Sequence, residues 1–184
     1  MNRALIIIDV QDVFLDPTWG KRNNPEAETN IKRLLSEWRK RGSEVIYIQH
    51  ISENPHSLFY FENESTQIKN IVKPLENEKI FTKQVNSAFI GTSLEDYLNI
   101  KKMTEVVITG LTTPHCVSTT TRMSANLGFK TFLLSDATAA FEQTDHRGHY
   151  VDADTIHHYS LATVHQEFAT VLSTQDFIDN YLDS

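Results

Sequence analysis

Two hydrophobic periods alternate along the chain. Ala4–Val10 (ALIIIDV) is a nearly unbroken apolar run, the pattern of a strand covered on both faces. Ile31, Leu34, Leu35 and Trp38 then fall at i, i+3, i+4 and i+7, one face of a helix. Asn24 is placed to cap that helix, Pro25 to open it and Gly42 to close it. Glu44–Gln49 (EVIYIQ) and Lys79–Lys83 (KIFTK) read as the next strands. Between them, residues 52–78 are polar and aromatic with weak periodicity, and read as loop plus a short helix. Thr92 and Glu95 form a capping box ahead of Leu94, Tyr97 and Leu98. Glu105–Leu111 (EVVITGL) and Lys130–Ser135 (KTFLLS) are strands on either side of a helix over 115–127 that ends at Gly128. Residues 153–168 predict a helix carrying Ile156, Tyr159, Val164 and Phe168. Thr170–Leu172 is a short last strand and 174–182 a terminal helix.

Strands alternating with helices predict an α/β fold, a three-layer sandwich with a mainly parallel, doubly wound central sheet. A length of 184 residues, with no repeat, linker or low-complexity tract, suits one domain over 1–184. The formal net charge of -7 and the lack of any basic run argue against nucleic acid and anionic membrane surfaces as partners. The apolar run before Asp9 is too short for a signal-peptide core, and no segment approaches a membrane span, so a cytoplasmic protein is expected. The single cysteine excludes an internal disulfide and a cysteine-rich zinc site.

In open α/β sheets, ligands bind at the carboxyl ends of the strands. The polar residues expected there are Asp9, Gln49, His50, Lys83, the segment from Gly110 to Cys116, and Asp136. A carboxylate directly after Ile6, Ile7 and Ile8 is costly unless paired or used. Cys116 is expected in the first turn of its helix, where the dipole and a nearby Lys83 would favour a thiolate. A lone cysteine is as readily an inert core residue. Its coincidence with Asp9 and Lys83 on one rim favours chemistry.

The segments IIIDVQDVF, NSAFIGTSLEDYL after the lone Lys83, VVITGLTTPHCVSTTTRMSANLGF and LLSDATAAF resemble the isochorismatase-like cysteine hydrolases, in the expected order over residues 4–172. The resemblance implies a catalytic Asp–Lys–Cys triad, here Asp9, Lys83 and Cys116. It also implies a cis peptide at Leu111–Thr112 and an oxyanion hole from the backbone N–H groups of Thr112 and Cys116. The implied activity is thioester-forming hydrolysis of a small amide or carbamoyl/ureido compound, in a homodimer or larger homo-oligomer. Isochorismatases within this resemblance lack the nucleophilic cysteine. Nicotinamidases carry a metal-binding Asp-x-His after the second strand. Here that place reads Gln49-His50-Ile51-Ser52, with His56 beyond, so no metal and no cofactor are expected. A nicotinamidase-type enzyme with an atypical metal site, and a non-catalytic member binding a small molecule or partner, stay as alternatives. A redox sensor would need a resolving cysteine, and the chain has none.

Phe14, His50 and Asn86 are the expected substrate-binding residues, with Phe14 as pocket wall. Trp19 suits a lid or a subunit contact. Phe59, Tyr60 and Phe61 suit a lid, a dimer contact or a misread core strand. Arg122 reads as structural or interfacial and Asp136 as a cap. The residues around Asp145–Tyr150, with His157 and His158, read as a polar loop.

Overall fold

The structure, a computed structural model, describes residues 2–183. In chain order its elements are β1 (Arg3–Ile8), α1 (Ala27–Lys40), β2 (Glu44–His50), β3 (Lys79–Lys83), α2 (Leu94–Ile100), β4 (Glu105–Leu111), α3 (Ser118–Asn126) and β5 (Lys130–Ala139). A small hairpin of β6 (Gln143–Thr144) and β7 (Tyr150–Val151) follows, then α4 (Ala153–Ala162), β8 (Thr170–Leu172) and α5 (Thr174–Asn180). Six strands form one parallel sheet in the order β3-β2-β1-β4-β5-β8. The three-layer α/β architecture expected from the sequence is thus observed.

Alternate residues of the central strands serve opposite layers, because side chains alternate across a sheet. Ile6, Ile8, Ile46, Ile48, Val106 and Ile108 pack with Leu94 and Leu98 of α2 and with Val117 ahead of α3. Leu5, Ile7, Val45, Tyr47 and Val107 pack with Ile31, Leu34, Leu35 and Trp38 of α1 and Phe177 of α5. Both faces being covered explains the unbroken apolar runs. Among the described residues, no helix is long and apolar enough to cross a membrane.

Several local expectations are corrected. β1 stops at Ile8, because Asp9 turns the chain with φ 51°, a left-handed conformation that aspartate tolerates better than most residues. Asn24 does not cap α1. It sits at φ 43°, and its side-chain amide donates to the carbonyls of Ser135 and Thr138 at 3.0 and 2.8 Å. Thr92 forms no capping box: its hydroxyl donates to Ala88 O at 2.6 Å, and Ser93 is the residue before α2. The helix foreseen over 153–168 ends at Ala162, and Gln166, at φ 66°, lies in the turn that follows. In 52–78 the only helical pieces are single turns at Glu64–Thr66 and Asn70–Val72. The β6–β7 hairpin was not foreseen.

β5 runs on to Ala139 past the polar Ser135-Asp136, where the sequence reading ended it. Its pairing with β4 steps from Ile108↔Leu133 to Gly110↔Thr138, so the intervening residues bulge out of register. The freed groups are used. Besides Asn24, Asn30 donates to Asp136 O at 2.8 Å, and the Asp136 carboxylate accepts from Thr174 N at 2.7 Å at the start of α5. Asp136 thus does not end the strand and cap the segment after it, as expected; it lies within β5 and binds the start of α5, whose own N-cap is Ser173.

Glu28 of α1, buried, binds Arg22 and Lys69 at 2.6 and 2.7 Å, tying the loop after β1 and the loop before β3 to one helix. Burial alone would raise its carboxyl pKa, but the two cations overcome it and hold the pKa at about 2. A depressed pKa means stability present above the unfolded value and lost as pH falls through the folded one. Urea melts should therefore show that Glu28→Gln removes acid sensitivity between about pH 4.5 and 2, worth on the order of 3 kcal/mol in the parent. Parallel pH curves for the two proteins would refute this.

Candidate active site

The strand order reverses between β1 and β4: from β1 the chain moves outward through β2 to the edge strand β3, then returns to the other side at β4. Asp9 leaves the carboxyl end of β1, and Thr112 and Cys116 follow β4, so both walls of this switch-point crevice carry polar chemistry. Close passage of the two strands depends on Gly110, at φ 122°, where a Cβ would collide with the backbone of Ile8.

Lys83, the last residue of β3, gathers the site. Its ammonium lies 2.7 Å from Asp9 Oδ2, donates to Cys116 Sγ at 3.2 Å, and donates to His50 Nδ1 at 2.9 Å. An ammonium has three protons and no acceptor: it donates to His50 and Cys116, and its charge pairs with Asp9. It also fixes the His50 tautomer: Nδ1 accepts, so Nε2 carries the proton and is a donor. Burial, then the charge of Lys83, push the His50 pKa down to about 4, so the ring is neutral at pH 7.

Asp9 is fully buried, and neither of its oxygens receives a well-directed hydrogen bond. Burial raises its pKa, with Lys83 opposing. The Cys116 thiol faces this carboxylate. Burial first, then the Asp9 charge, push the thiol pKa up to about 12. The expectation of a resting thiolate is therefore corrected. Cys116 lies in a wide π-helical turn, Thr113–Val117, ahead of α3 rather than in the first turn of an α-helix, and a buried sulfur beside a carboxylate keeps its proton. Asp9, His50 and Cys116 each offer one ligand atom within 4.8 Å of the others, a candidate metal centre. The Lys83 ammonium, at contact distance from all three residues, stands where an ion would, so this donor set does not fit a metal.

A family model described as the isochorismatase domain matches residues 3–176. The chain belongs to the isochorismatase family. The isochorismatase-family protein YrdC of Bacillus subtilis, itself uncharacterised, is 60% identical over 98% of this chain and 97% of its own. A solved structure of an isochorismatase-family protein from Chromobacterium violaceum superposes with a TM-score of 0.94 at 38% identity, covering 97% of this chain and 93% of that one. An N-carbamoylsarcosine amidase of Arthrobacter sp is 25% identical, over 69% of this chain and 55% of its own.

In this isochorismatase-family chain the expected site residues come together. The Leu111–Thr112 peptide is cis. Phe14, His50 and Asn86 line a cavity of about 230 Å³ over Cys116, together with Thr112. Asn86 Oδ1 stands 3.8 Å from the sulfur. Trp19 and Phe59 also wall the cavity; Phe14 packs on both at centroid distances of 5.0 and 5.7 Å. Arg122 donates to Thr163 Oγ1 and stacks over Phe168.

Two contributors were missed. Buried Gln11 donates to the carbonyls of His50 and Thr66 and accepts from His50 N, clamping the end of β2 to the following loop. His157, grouped with a polar loop, is buried on α4. Its Nδ1 is 2.8 Å from Thr113 Oγ1 and its Nε2 is 3.3 Å from Asn24 Nδ2, so it braces the turn that carries Cys116. Its spacing of four from both Ala153 and Leu161 is the signal that places it on the inner face.

Proposed function

We propose that this chain is a cysteine-dependent hydrolase of a small amide or of a carbamoyl or ureido compound, with Asp9, Lys83 and Cys116 as the catalytic set. The observation that carries the reading is the Lys83 ammonium holding a proton-accepting carboxylate against a thiol, under a cavity of small-molecule size. The family is hydrolytic, and one relative is by name an amidase.

The Cys116 sulfur attacks the carbonyl carbon while Asp9 takes the thiol proton, so no free thiolate accumulates. The backbone N–H groups of Thr112 and Cys116 receive the oxyanion. Asp9 returns the proton to the nitrogen as the C–N bond breaks, and ammonia or an amine departs. Water, deprotonated by Asp9, then attacks the thioester. The C–S bond breaks, the acid leaves and the thiol recovers its proton. Lys83 balances charge throughout and keeps Asp9 and Cys116 aligned. His50 Nε2 and Asn86 orient the substrate, and Phe14 flanks it. The same reading has the chain acting on a small molecule in the cytoplasm as a homodimer or larger homo-oligomer, which light scattering tests.

The direct experiment screens small amides for amine release, with mass spectrometry of the quenched protein to find an acyl group on Cys116. Release accompanied by that adduct supports the reading, and undiminished turnover in Cys116→Ala would overturn it. Because the base must be ionised and burial raises its pKa, kcat/KM should fall on the acid side at a pH above the ordinary aspartate value of 3.8. An acid limb at or below that value would refute the assignment of Asp9 as base.

A further inference from the structure

We propose that a second subsite, built around Glu142, receives a positively charged group of the substrate, so that this chain selects cationic amides and rejects those carrying a carboxylate. The inference rests on the hydrolase reading above and narrows it. A cavity of about 270 Å³ lies beside the one over Cys116 and shares Trp19, Thr112 and His115 with it. Among the described residues lining the two, Glu142 is the only carboxylate. His50 is neutral, His115 has its pKa lowered by burial, Cys116 keeps its proton, and neither lining contains a lysine or an arginine.

Glu142 is held in place from several sides. Its N–H donates to Lys21 O at 2.8 Å, and its Oε2 accepts from the Tyr150 hydroxyl at 3.0 Å. Oε1 lies over Gly20, at φ 77°, where a Cβ would come within 2.6 Å of it. A half-buried carboxylate fixed in this way binds a cation with little further loss of side-chain freedom.

The rest of the lining agrees. Phe141 lines the Glu142 cavity, Phe14 the neighbouring one and Trp19 both; Phe141 packs on Phe14 and Trp19 at 5.9 and 5.7 Å. Aromatic faces attract ammonium and guanidinium groups. A carboxylate in the same place meets no fixed cation and is repelled by Glu142. The preferred substrate therefore has its reacting amide over Cys116 and an amino or guanidino group on an arm that passes the shared wall.

The test compares three families of amides matched in length: ω-amino amides, plain alkanamides and ω-carboxylate amides, each over a range of chain lengths. Turnover is read as amine release by the intact protein, and binding by calorimetry on Cys116→Ala. The expected order in kcat/KM and in affinity is ammonium over alkyl over carboxylate at the length that reaches Glu142. Glu142→Gln is expected to lower the ammonium-to-alkyl ratio roughly ten- to a hundred-fold. Hydrolysis with no charge preference, or a preference unchanged in Glu142→Gln, overturns the subsite and leaves the hydrolase reading standing. Glu142-dependent binding of the ω-amino amides without turnover keeps the subsite and overturns the hydrolase reading. Failure of the whole series to bind or react overturns the subsite.

Discussion

Replacing Asp9 by Asn is expected to silence turnover and, at the same time, to make Cys116 a stronger acid. The two effects have one origin. With Asp9 present, burial and its negative charge push the thiol pKa up to about 12, against the pull of Lys83. Removing the carboxylate leaves Lys83 buried without a counter-charge, and ionisation of Cys116 is the nearest way to restore neutrality. Alkylation of Cys116 by iodoacetamide, followed against pH, should shift its midpoint downward in Asp9→Asn. Amine release should nevertheless drop roughly 10²–10⁴-fold, the usual scale for losing a positioned general acid–base group, because no group remains to protonate the departing nitrogen. A variant with a more acidic thiol and undiminished turnover would mean that Asp9 only balances charge. An unshifted midpoint would mean that its charge is not felt at the sulfur. A thermal melt separates both from simple unfolding.

Gly110→Ala should be the most destabilising single substitution in the sheet. A methyl group there would press into the backbone of Ile8, which is main chain of the central strand and cannot swing aside. The φ of 122° is also unfavourable for any side chain. Loss of about 4 kcal/mol or more is expected, enough to leave much of the chain unfolded. Gly128→Ala is the matched control: its φ is also positive, at 91°, but nothing lies within 4 Å of the added Cβ. That change should cost only about 1–2 kcal/mol in urea melts. Equal losses at the two positions would mean that strain, and not the β1–β4 contact, makes Gly110 necessary.

The sheet was legible because its strands announce themselves. The runs after Arg3, Ser43 and Thr104 are apolar on both faces, and only a covered parallel sheet accommodates such runs. What resisted were places where tertiary contacts override local preference. Asn24 has the chemistry of a cap, but the bulge in β5 offers it two carbonyls, and it takes those. Ser135-Asp136 looks like a strand end, yet it is the bulge itself. The residue types at the site were readable from the rim rule and the family resemblance, since Asp9, Lys83 and Cys116 each end or follow a strand. The protonation state of Cys116 was not, because it depends on how deeply the sulfur is buried and on which neighbour lies closer. Glu142 was hidden for a related reason. It follows β5, in a stretch whose hairpin the sequence does not signal, and only folding brings it opposite Gly20.

Lys83 has one more implication. Asp9 and Cys116 issue from the two innermost strands, whereas the ammonium that joins them comes from β3, at the border of the sheet. Border strands open more readily than central ones, since one side lacks a hydrogen-bonded neighbour. On warming, β3, which with β8 borders the sheet, would pull away before the central strands and withdraw the cation while the interior is still ordered. The upper working temperature of the chain would then be set by this border strand, below the point at which the molecule as a whole comes apart.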